Sequence, residues 1–70
     1  PMTKTRIDGY LSRIAQTINP TALVMVNLDQ GEEWILKRDG QDDLGLGDNY
    51  HLAEQGIRSM IRAERAKGKI

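Results

Sequence analysis

The chain has no cysteine and a single histidine, His51. No disulfide can form, and zinc sites of the common Cys/His type are excluded. The missing cysteines fit a reducing, cytoplasmic compartment. Long apolar runs are missing too. The longest uninterrupted one is Ala22 to Val26, far short of the roughly 18 residues that span a bilayer, and no secretory h-region opens the chain. Nor is there an excess of charge of either sign, since ten bases face ten acids. A net charge of zero argues against unspecific nucleic-acid binding, which draws its affinity from neutralising phosphates. The 70 residues make one domain, read as 1–70. A domain near this size buries only about 60% of its unfolded surface. Without disulfides or a metal, packing or self-association must support it.

What is present reads as helix, hairpin, helix. Ile7, Leu11, Ile14 and Ile18 recur at spacings of four, three and four, which stacks them on one face of a helix expected over residues 5–18. Thr5 and Asp8 resemble a capping box, and Asn19-Pro20 ends the helix because the residue before proline avoids the α region. Residues 22–28 and 33–38 read as paired strands. Asp29-Gln30-Gly31 joins them, with Gly31 in the left-handed position that closes a three-residue hairpin loop. That loop places Trp34 opposite Val26 and Leu36 opposite Val24. Residues 41–47 add either a short edge strand carrying Leu44 and Leu46 or an irregular loop. A last helix is expected over residues 49–66, capped by Asp48 or Asn49 and stopped near Gly68.

The fold class is therefore α+β, of order αββα, with both helices on one face of the hairpin. Its expected core is Ile7, Leu11, Ile14, Ile18, Val24, Val26, Trp34, Leu36, Ile57, Met60 and Ile61. Val24, Val26, Leu28, Trp34 and Leu36 share one face of the hairpin; Leu23, Met25 and Ile35 share the other. Helices on one side leave the second group in water, and exposed apolar patches of that kind mark interfaces. Either a second copy or a protein partner covers it, or the acidic loop or a helix folds over it.

Charge is neutral only in total. Residues 29–48 carry a net −5, residues 49–70 carry +3 and residues 1–28 carry +2. Arg58, Arg62, Arg65 and Lys69 follow spacings of four, three and four along one face of the last helix. Arginine binds phosphate or carboxylate through a bidentate fork, so this stripe suits nucleic acid or an acidic partner; the plainer reading is a solvated face balanced by the acidic loop. Asp39, Asp42, Asp43 and Asp48 lack the spacing of a calcium loop. They suit a basic partner surface, through carboxylates that mimic a phosphate backbone, or simply solvate the hairpin edge. Gly45-Leu46-Gly47 lacks the third glycine and the lysine of a phosphate loop.

Catalytic chemistry has little to draw on. Ser12 and Ser59 have no evident base, and His51 near a helix N-terminus reads as a surface or capping residue. Pro1 precedes Met2, which reads as an initiator, so Pro1 is set aside as an added residue. In the small tautomerases an N-terminal proline is the base and opens a strand directly; here residues 2–5 lead into a helix. The order from Ile7 to Arg65, with Gly45-Leu46-Gly47 before the last helix, loosely resembles a double-stranded-RNA-binding domain. That family would require lysines at the start of the last helix, where this chain has Asp48, Asn49, Tyr50 and His51. The resemblance therefore implies helix and sheet order and no RNA function.

These observations lead to a small non-enzymatic protein that binds another protein as a regulator or inhibitor. Its expected contacts are Leu23, Met25 and Ile35 or the acidic Asp39, Asp42 and Asp43. The alternative is a nucleic-acid-binding module that uses Arg58, Arg62, Arg65 and Lys69. No cofactor or metal is implied.

Overall fold

The hairpin adopts the register its loop dictates. In this computed structural model, which describes residues 4–68, strands β2 (Leu23–Asn27) and β3 (Glu33–Lys37) pair antiparallel. Val26 lies opposite Trp34 and Val24 opposite Leu36. Gly31 sits at φ +92°, the left-handed region that a side chain resists and the turn requires. The chain then turns back through β4 (Leu44–Gly47), which pairs antiparallel with β3 across a bulge beside Trp34 and Ile35. The edge-strand reading of residues 41–47 is thus the one the fold adopts.

The N-terminal end departs from the expected helix. Thr5–Ile7 form a short strand, β1, antiparallel to β2, and helix α1 is only Gly9–Ala15. Asp8 is the reason. Its backbone is extended and its side chain accepts the Leu11 N–H at 2.9 Å, so Asp8 is itself the N-cap. A residue that caps a helix from outside cannot sit within one. Thr5 is therefore not the cap, and Ile7 leaves the expected core: it faces with Met25 and is 53% exposed. The contrast drawn with tautomerases, which relied on a helix from Thr5, lapses with it; Pro1 lies outside the described residues.

The sheet order is β1-β2-β3-β4, antiparallel throughout. Helix α2 (Tyr50–Ala66) starts on Asn49, whose side chain accepts the Leu52 N–H at 2.9 Å. It ends at Ala66, with Lys67 as the C-cap and Gly68, at φ +76°, directly after it. Both helices lie on the face of Val24, Val26, Trp34 and Leu36. Leu11 and Ala15 from α1 and Ala53, Ile57 and Ile61 from α2 complete the core, together with Ala22. Ile14, Ile18, Met60 and Leu46 pack against it. Leu28, expected on the inner face of the hairpin, stays substantially exposed, as does Leu52 of α2. Small residues let the layers approach: a Cβ added to Gly56 would lie 3.4 Å from the Leu46 side chain. Gly47, at φ +118°, has Leu52 so near that an added Cβ would lie 2.9 Å from its Cβ.

One polar side chain is buried in this layer. Ser12 Oγ accepts the Val24 N–H at 2.7 Å and donates to the Val24 carbonyl at 3.4 Å. The Asp8 N–H donates to the same carbonyl at 2.8 Å. Had β1 continued, the Asp8 carbonyl would have met the Val24 N–H. It accepts the Ser12 N–H instead, at 3.0 Å, and so opens α1. The serine hydroxyl replaces the lost strand acceptor.

Ser12→Ala should therefore strand a buried N–H and lower unfolding free energy by about 1–3 kcal/mol, measured by urea denaturation. A loss within the roughly 0.5 kcal/mol typical of surface substitutions would contradict this role. Gly47→Ala, which is strained and crowded at once, should cost about 1–3 kcal/mol in the same assay.

Candidate docking surface

Strand periodicity sorts the side chains of the sheet onto two faces. The inner set of the hairpin, Val24, Val26, Trp34 and Leu36, is essentially inaccessible, while Leu23 is 38% exposed and Met25 and Ile35 are half-buried. The register puts Ile7, Met25, Ile35 and Gly45 in one row across all four strands of the outer face. Thr5, Asn27 and Glu33 flank the row on one side, and Leu23 and Lys37 flank it on the other. Neither helix reaches this face, and the 39–43 turn is exposed rather than folded over it. The three residues expected from sequence are brought together, and Ile7 joins them. The apolar period of Ile7 with Leu11 and Ile14 disguised it as a helix residue. Only the caps around Asp8 could have revealed the strand.

The acidic turn is tied down locally. Lys37 Nζ meets Asp43 Oδ2 at 2.7 Å, the Asp42 carbonyl accepts from Arg38 Nη2 at 2.9 Å, and the Asp39 N–H donates to Thr21 Oγ1 at 2.9 Å. Lys37 of β3 is thus the ion-pair partner of Asp43. Among the described residues no cluster of three or more metal-ligating side chains occurs.

The basic stripe lines a shallow groove of about 380 Å³ between α1 and α2, walled by Arg58, Arg62 and Arg65 over Ile14, Thr17 and Ile61. Arg58 is occupied within the molecule. It holds Glu54 Oε2 at 3.1 Å and the Tyr10 hydroxyl at 3.2 Å. The bond to Glu54, followed by that to Tyr10, raises its pKa further. Arg62 donates to Ser59 Oγ at 2.9 Å. Lys69 lies outside the described residues. Where the RNA-binding resemblance requires lysines, Asn49 is the helix cap and Asp48 precedes it. Tyr50 follows, its ring edge-on to Trp34 at 5.7 Å. The Tyr50 phenol is pushed up by desolvation and then by Glu54 and Asp8.

Among the described residues the serines and His51 are not brought together as a nucleophile with a base. Ser12 is committed to Val24, Ser59 accepts from Arg62, and His51 is exposed in the first turn of α2. Among the described residues no helix is long and apolar enough to cross a membrane. No protein-family model, curated protein or solved structure matches this chain.

The two faces should answer differently to truncation. Leu36→Ala, on the inner face, should cost about 2–5 kcal/mol. Leu23→Ala, on the outer face, should stay within roughly 1 kcal/mol. Equal losses in urea denaturation would show that the outer face is covered.

Proposed function

We propose that this chain is a small non-enzymatic protein-binding domain that regulates or inhibits its partner through the open face of its sheet. The observation that carries the reading is the row of Ile7, Met25 and Ile35, continued by Leu23, on a face that neither α1 nor α2 covers. Layered folds bury the apolar face of a sheet against a second layer. Here the second layer serves only the inner face. Polar residues on both sides, Thr5, Asn27 and Glu33 against Lys37, give the patch the polar rim of a binding surface.

A second reading, nucleic-acid binding by Arg58, Arg62 and Arg65, draws support from their gathering along one groove. It is the weaker of the two. Arg58 is already paired with Glu54, the groove floor is aliphatic, and the chain has no net positive charge.

A photo-activatable residue placed at position 35 in one variant and at position 62 in another separates the readings. Cross-links to polypeptide are expected from position 35. Cross-links to nucleic acid from position 62, with none to polypeptide from position 35, would overturn the proposal in favour of the second reading. Arg62→Glu with Arg65→Glu should leave the position-35 adducts unchanged.

A further inference from the structure

The charges beside the apolar row say which polypeptide fits it. Strand β3 projects Glu33, Ile35 and Lys37 in succession onto the open face. This order is self-complementary under reversal. A two-fold axis running across the strands, beneath Met25 and Ile35, turns a second sheet end for end. It lays Lys37 of one copy over Glu33 of the other, twice, and sets the apolar row upon itself. A two-fold axis along the strands would place Lys37 over Leu23 and Glu33 over Asn27, leaving both charges without a counter-charge. Gly45 ends the row without a side chain, and the space where its Cβ would lie is free of other atoms. Isologous pairing of this kind is the commonest form of protein oligomer, and sheets stacked face to face with nearly aligned strands are a stable layer arrangement.

We propose that the occupant of the open face is a second copy of this chain, stacked sheet on sheet with the strands reversed. The inference rests on the docking reading above and gives the partner its identity. Lys37, which holds Asp43 within one chain, stays substantially exposed, so its ammonium group is available to the Glu33 carboxylate of the other copy. Strands about 4.8 Å apart and about 3.3 Å per residue give a footprint of roughly 250 Å². A standard interface buries about 800 Å² of accessible surface per partner. The dimer is accordingly weak and in exchange with monomer.

Sedimentation equilibrium from low micromolar to near-millimolar protein tests this. The apparent mass should climb from that of the 7.9 kDa chain towards twice that value. Ile35→Asp should hold it at the monomer. Charge reversals are made on an Asp43→Asn background, so that a glutamate at position 37 does not face Asp43. On that background Glu33→Lys or Lys37→Glu alone should weaken association about tenfold or more, and the two together should restore it. Glu33 and Lys37 are exposed, so these variants report on association even where Ile35→Asp perturbs folding; far-ultraviolet circular dichroism checks each. A monomer at every concentration overturns the second copy, as does association that ignores these substitutions. The position-35 cross-link then separates the two levels. An adduct to a different polypeptide overturns only the self-pairing, and no polypeptide adduct overturns the docking reading as well.

Discussion

The structure turns on one hydroxyl. Strand β1 can pair with only part of β2, because the chain must leave the sheet at Asp8 to begin α1. At that point the Val24 N–H faces a vacated edge in the interior, where an unpaired donor is costly. Ser12 is one turn into the helix and supplies the missing acceptor. The same bond fixes how α1 lies on the sheet. It brings Leu11 and Ala15 over the inner face and leaves the outer face bare. The asymmetry of the sheet, and with it the functional reading, follows from where this helix is pinned.

The legible parts of the fold were those where a local rule has one solution. A three-residue loop ending in a left-handed glycine determines the hairpin register, and with it both faces of β2 and β3. The ends of α2 were visible for the same reason, with Asp48 or Asn49 as the cap and Gly68 as the stop. The N-terminal segment was ambiguous because Ile7 fits two patterns. It continues the helical spacing of Leu11, Ile14 and Ile18, and it also pairs with Met25 across a strand too short to show alternation. Asp8 decides between them, and its choice depends on Val24, far away in the chain. Ser12 was read only as a nucleophile without a base; its partner is likewise a backbone group that no sequence pattern reveals. Leu23, Met25 and Ile35 were legible as a set, and Ile7 was not.

Charge segregation along the chain does not become a simple dipole in space. In the β3–β4 turn Lys37 meets the Asp43 carboxylate and Arg38 donates to the Asp42 backbone carbonyl, while Arg58 turns to Glu54 and Tyr10. Each cluster is moderated by its own neighbourhood. On the open face of the sheet, by contrast, an aliphatic row lies between a carboxylate and an ammonium group.

The close seam between α2 and β4, where Gly56 meets Leu46 and Ala53 is wholly enclosed, has an evolutionary consequence. A methyl added at Gly56 would rest in van der Waals contact with Leu46, whereas volume added at the wholly enclosed Ala53 is overpacking of the kind that typically costs about 1–3 kcal/mol. Substitution is thus more constrained along the inner layer than on the opposite side of the same strands. Descendants of this chain can exchange Ile7, Leu23, Met25 and Ile35 with little disturbance of the architecture. New outward side chains can be set on the inherited frame at little structural cost.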